Sequence, residues 1–226
     1  MKNLLVLVFL LIGSILYAQE SETRNVGSFR GIKSSTGIDV YLKRGEKESV
    51  RVEVSGTDIK NVITQVSGDY LKIQMAEGRY NRTRTVKVYV TYVELTKLSC
   101  SSASSIYAEG TIKAKSLSVS ASSAGSIDIG VDAESLMVSV SSAAEVELRG
   151  KARRVEFEAS SAAEIGGYDL ETEEADISAS SAGSIRVSVS QKIDARASSG
   201  ADIRYRGNPM KTNTNSSSGG SVKKSS

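Results

Sequence analysis

An all-β fold, a parallel β-solenoid (β-helix) with coils of about 19 residues, follows from three features of this 226-residue chain. One block of sequence recurs seven times at nearly constant spacing, which is the signature of stacked repeats. Apolar and polar residues alternate with period two inside each block, the pattern of a strand with one buried face. Every block also carries a serine pair followed by small residues, too small-sided for a helix core and suited to a tight turn.

The chain opens on Met1-Lys2-Asn3, the apolar run Leu4 to Ile12, Gly13-Ser14 and Leu16-Tyr17-Ala18. These are the basic, hydrophobic and small-residue regions of a secretory signal peptide. Residues 1–18 are assigned to it, with cleavage after Ala18. The apolar run is shorter than the roughly 20 residues of a spanning helix, and no Cys follows the cleavage site to take a lipid anchor. Residues 19–23 form a short lead, and one β-helix domain is expected over 24–222, before the polar tail 223–226.

The early part is less regular. Arg30 to Val40 (RGIKSSTGIDV) fits the repeat frame, with Ile32 matching Val119, Ser35-Thr36 matching the serine pair and Val40 matching Ile127. Alternating runs at Val50–Val54, Val62–Val66, Leu71–Met75 and Val86–Val90 read as further strands. With antiparallel hairpins they would cover the first edge of the stack, and the polar carboxy-terminal residues would blunt the last one.

The repeats proper read Thr96–Ile106 (TKLSCSSASSI), Leu117–Ile127 (LSVSASSAGSI), Leu136–Val146 (LMVSVSSAAEV), Val155–Ile165 (VEFEASSAAEI), Ala175–Ile185 (ADISASSAGSI), Ile193–Ile203 (IDARASSGADI) and Thr212–Val222 (TNTNSSSGGSV). Their starts lie 21, 19, 19, 20, 18 and 19 residues apart. Each unit reads as strand, small-residue turn, second strand and a polar link such as Asp132 to Ser135. Stacking in register would align Leu117, Leu136 and Val155, and likewise Ile127, Val146 and Ile165, into internal ladders that no single unit could bury. At about 4.8 Å per strand, seven coils rise roughly 34 Å. The fifth position, Cys100, Ala121, Val140, Ala159, Ala179, Ala197 or Ser216, suits a tight corner. The serine pairs are expected to form hydroxyl ladders from coil to coil.

Composition removes much chemistry. There is no His, hence no Ser-His-Asp or Cys-His nucleophile system and no imidazole zinc site. The single Cys100 can make no intrachain disulfide and reads as a packed residue. The formal net charge is +3, with acids and bases interspersed, which leaves no nucleic-acid footprint. No segment after the signal is apolar enough to span a membrane as a helix. No catalytic residue, metal ligand or cofactor is assigned.

The SSTGIDV segment (Ser34 to Val40), the alternating strands after it and the Ser-Ser-Ala-Gly-Ser-Ile blocks resemble the putative auto-transporter adhesin, head GIN domain family (DUF2807) of secreted Bacteroidetes proteins. The resemblance covers nearly the whole mature chain, although Gly37-Ile38-Asp39 stands where the family name has Gly-Ile-Asn. It implies a right-handed β-helix and an adhesin-like role. No translocator barrel follows the repeats, so export is expected to use the general secretory signal.

The expected function is that of an exported, non-enzymatic binding module in the periplasm, at the cell surface or outside the cell, showing a glycan or protein ligand a rigid row of side chains. The display face is the outward side of the second strand, and its binding candidates are Glu145, Glu164, Arg186 and Arg204. Glu145 and Glu164 should fall on adjacent coils, where like charges repel unless solvated or helped by Lys151, Arg153 or Arg154. A structural or assembly element of the envelope is the alternative. A polysaccharide-degrading enzyme is disfavoured because the carboxylates follow their ladder and do not cluster with aromatic platforms.

Overall fold

The computed structural model describes residues 20–80 and 83–225, so the expected signal segment, residues 1–18, lies outside the described residues. The described chain is β throughout except for one 3-10 turn, Ile59–Asn61, capped by the Asp58 carboxylate. The first strands are β1 (Glu20–Arg24), β2 (Gly31–Ser34), β3 (Asp39–Arg44), β4 (Ser49–Ser55), β5 (Val62–Ser67), β6 (Tyr70–Met75), β7 (Thr85–Tyr92) and β8 (Lys97–Cys100). The coils follow as β9 (Ser105–Ala121), β10 (Ser126–Val140), β11 (Glu145–Ala159), β12 (Glu164–Ala179), β13 (Ser184–Ala197), β14 (Asp202–Arg206), β15 (Lys211–Ser216) and β16 (Ser221–Lys224).

Strands β9 to β13 stack in parallel as a β-solenoid. Ile106, Ile127, Val146, Ile165, Ile185 and Ile203 form one internal ladder, and Leu117, Leu136, Val155, Ala175 and Ile193 another. All of them are buried, and each large one contributes roughly 1.5–3 kcal/mol of burial. The polar links expected after a short second strand are themselves strand. Asp132 pairs with Lys151 and Ala133 with Ala152, so the chain stays in the sheet from one turn to the next. Ala133 and Ala152 are buried there, and their small side chains let the strand bend over the core without leaving the ladder.

The serine-pair turns are main-chain devices. Both central residues take positive φ, as at Ser123 (51°) and Ala124 (58°), and the pattern recurs at Ser142-Ala143, Ser161-Ala162 and Ser181-Ala182. Such double left-handed turns normally favour Asn and Gly. Here an amide-to-carbonyl chain supports them: Ala103 N donates to Ser123 O, Ala124 N to Ser142 O, Ala143 N to Ser161 O and Ala162 N to Ser181 O, each at 3.0 Å. The ladder expected of serine hydroxyls is thus carried by peptide groups, because two left-handed residues turn the peptide planes along the solenoid axis. Within the turn, Gly125 N closes on Ser122 O at 3.0 Å.

Stack order departs from chain order at the amino-terminal end. Strands β2 and β3 lie between the first coil and the pair β6 and β7, all parallel. Ile32 aligns with Leu98 and through it with Val119, while Val40 aligns with Ile106 and Ile127, as the repeat frame requires. Antiparallel β5, β4 and β1 then cover β6 and β7. The Arg24 guanidinium fastens this end by donating to the Ile59 and Val62 carbonyls and to Thr64 Oγ1. At the other end Thr212, Thr214 and Ser216 take over the positions of Ile193, Ala195 and Ala197. These polar residues are exposed, and the apolar ladder stops there.

Cys100 is 1% exposed, in register with Ser34 and Ala121, with its thiol donating to Ser104 O at 2.9 Å. Burial pushes the thiol from its ordinary 9.0 up to about 11. A raised folded value means that the associated stability is whole below about pH 9 and is lost as pH rises through about 11. Cys100→Ala places the residue of Ala121 and Ala159 at this corner. It is expected to cost about 1 kcal/mol or less at neutral pH and to flatten the alkaline decline, as read from thermal melts across that window.

Candidate functional site

Two outward columns run along the second strand of the coils. The first carries Asp39, Ser105, Ser126, Glu145, Glu164, Ser184 and Asp202 at successive levels. The second carries Tyr89, Tyr41, Tyr107, Asp128, Glu147, Gly166, Arg186, Arg204 and Lys223. Strand alternation turns these residues outward while Ile106, Ile127 and Val146 between the columns face the core.

Glu145 and Glu164 are register neighbours, and Arg186, on the next coil, hydrogen-bonds the Glu164 carboxylate. The basic residues expected to help lie elsewhere. Lys151 pairs with Asp132 at 3.7 Å, Arg153 with Glu173 at 3.5 Å and Arg154 with Glu174 at 3.3 Å, all along the link. Arg204 pairs with Asp202 of its own strand at 2.7 Å. Gly166 leaves a gap in the second column, and the Glu147 carboxylate occupies the space a Cβ would take. Burial first, then the charges of Glu145 and Glu164, raise the Glu147 carboxyl above the ordinary range, with Arg186 opposing. Asp128 bonds Arg149. The sequence-derived candidates Glu145, Glu164 and Arg186 therefore sit in one network with Glu147, while Arg204 extends the second column beyond them.

The aromatic residues of this face were not picked out by the sequence reading. Tyr41 stacks on Tyr89 (centroids 5.2 Å apart) and on Tyr107 (5.3 Å), and Arg51 covers the far side of Tyr89 at 4.2 Å. Tyr107 lies beside Asp128, so carboxylates and aromatics do share a column, contrary to expectation. The signal was present: Tyr41 and Tyr107 follow Val40 and Ile106 just as Asp128 follows Ile127. Tyr89 could not be placed, because β7 joins the stack out of chain order. The inner ring faces cover one another, which makes the stack a brace for the first coils and a poor platform for a flat sugar ring.

A concavity of about 1050 Å³ follows the link corner, with Lys113 and Lys115, Asp132 and Glu134, Lys151 and Arg153, and Glu171 and Glu173 on successive coils. Charge sign alternates from coil to coil, and the ion pairs run between coils. Exposed pairs of this kind are worth about 0–1 kcal/mol each and favour one register over a slipped one. Among the described residues no group of His, Cys, Asp or Glu could hold a metal ion, and no helix is long and apolar enough to cross a membrane.

No curated protein matches the chain. Its fold is similar to that of a putative adhesin from Bacteroides fragilis NCTC 9343, with a TM-score of 0.84 at 17% identity over 92% of this chain and 97% of the other. It is also similar to a putative lipid binding protein from Parabacteroides distasonis ATCC 8503 (TM-score 0.72, 18% identity, 92% and 97% covered). A putative adhesin from Parabacteroides merdae ATCC 43184 gives a TM-score of 0.70 at 15% identity, with 92% and 96% covered. The sequence profile of the putative auto-transporter adhesin, head GIN domain family matches residues 28–209, and the chain belongs to that family.

Proposed function

We propose that the protein is an exported or cell-surface binding module without enzymatic activity, which holds side chains at fixed coil spacing for a surface glycan or a protein. The observation that supports this reading is the pair of outward columns, where residues from six or more coils meet in strict register although they lie far apart in sequence. A stacked β-sheet holds such a row with little freedom left to lose on binding. The family's adhesin description agrees with a display role.

The test is binding of the exported chain, residues 19–226, to a broad glycan array and to fixed cells, beside a Glu145→Ala/Glu164→Ala variant. Both residues are solvent-accessible and like-charged, so the variant is expected to fold as well as the parent. Saturable binding that shifts about tenfold in the variant, weaker for a cationic ligand and tighter for an anionic one, is the result expected of a ligand on the second-strand face. A folded sample that binds nothing transfers the reading to a structural envelope element, for which the unpaired edge of β15 offers an assembly surface.

A further inference from the structure

We propose that the carboxy-terminal third of the second-strand face binds an anionic glycan laid along the solenoid axis, an inference that rests on the binding-module reading and names its ligand class. Arg186, Arg204 and Lys223 follow one another in the second column. Arg206, two residues past Arg204 and aligned with Ser188, lies on the same side and widens the row. The carboxylates facing the cations are Glu164, bonded to Arg186, Asp202, bonded to Arg204, and Glu147, which reaches over Gly166 to the level beside Arg186. Asp169 lies one level back, aligned with Arg149. Lys223 makes no ion pair among the described residues, and four cations, Arg186, Arg204, Arg206 and Lys223, thus face three carboxylates.

The cations are also held in place. Arg204 gives its Nε to Asp202 at 2.7 Å, which leaves the terminal fork of the guanidinium for a ligand carboxylate or sulfate. Arg206 lies 3.9 Å above the Tyr168 ring, whose hydroxyl is 2.8 Å from Ser225 Oγ. Like charges on neighbouring strands disfavour the fold, and an anion bridging them reverses that sign.

Geometry selects the ligand. Successive rungs are about 4.8 Å apart, close to the length of one sugar unit in an extended chain, so a polymer carrying an acidic group on each unit meets one cation per coil. The cationic run is short. On the amino-terminal side of Gly166 the same columns turn acidic at Glu147, Glu145 and Asp128. A long, stiff, uniformly charged duplex is repelled there, whereas a flexible glycan with a short acidic stretch leaves the surface.

The experiment measures binding of residues 19–226 to immobilised polygalacturonate and heparin, with dextran and duplex DNA as comparison ligands. The parent is compared with Arg186→Gln/Arg204→Gln/Lys223→Gln and with Lys151→Gln/Arg153→Gln/Arg154→Gln, which removes the same charge from the link corner. The proposal expects polyanionic glycan binding that weakens with salt and drops at least about tenfold in the first variant only. Circular dichroism verifies folding, and Lys223→Glu on the last strand serves as a second probe should the triple variant unfold. Equal losses in both triple variants, equal binding of DNA, or no polyanionic glycan binding overturns the inference. If the chain binds neutral glycans or cells equally well in parent and first variant, the inference falls and the binding-module reading stands.

Discussion

Phe157→Ala is expected to lower the unfolding free energy by about 3–5 kcal/mol, the usual range for emptying an aromatic site in a packed core. The ring is wholly buried, aligned with Val138 on one coil and Ile177 on the next. It also reaches across the core to Gly167, where a Cβ would come within 3.3 Å of Phe157 Cε2. The corresponding positions of other coils carry Val119, Val138, Ile177 and Ala195, so no neighbouring coil supplies a ring to fill the void. Because each coil contacts mainly its neighbours, a cavity in the middle weakens the coupling between the two ends of the stack. Urea unfolding followed by far-UV circular dichroism measures the effect, and a broadened or two-step transition is the expected sign of that uncoupling. A midpoint close to that of the parent would contradict a close-packed core at this coil.

Gly150→Ala is expected to cost about 2–4 kcal/mol although it removes no buried side chain. Gly150 has φ of 105°, outside the region that a residue with a Cβ enters without strain. An added Cβ would also run into the Val131 carbonyl oxygen of the preceding coil, so the substitution strains two strands at once. Gly68→Ala provides the comparison. It has φ of 59° and open space around the site, so only the left-handed strain of about 1 kcal/mol remains. Thermal melts of the two variants should differ clearly, with Gly150→Ala the less stable. Equal shifts would mean that the contact between coils at Val131 is loose.

Much of the fold was legible because the repeat is nearly constant in length and its apolar residues alternate. Matching Ile32 to Val119 and Val40 to Ile127 gives an irregular segment the register it has in the stack. The links Asp132 to Ser135 are legible in sequence only as polar connections after a short second strand. Their backbone continues the ladder, with outward charges and an inward alanine. The hydroxyls of the serine pairs suggested a side-chain ladder, whereas the left-handed turns present amides and carbonyls along the axis, and the bonds pass through those.

The candidate site was legible only as far as the repeats reach. Glu145, Glu164, Arg186 and Arg204 could be assigned to one face by counting within blocks, and Glu145 was rightly set beside Glu164. Which basic residue meets which carboxylate was not a matter of counting. Lys151, Arg153 and Arg154 are near Glu145 and Glu164 in sequence yet pair along the link, while Arg186 reaches Glu164 from the next coil.

Sequence alone thus determined the class of the fold, its coil length and the inward or outward side of each repeat residue, because period and burial are local properties of a stacked strand. Tertiary structure decided the order of the amino-terminal strands, the stacking of Tyr89 on Tyr41, the Glu147 carboxylate over Gly166 and the pairing of charges between coils. Those contacts join residues tens of positions apart, and their partners depend on which strand lies beside which, a choice that backbone pairing across the whole stack makes.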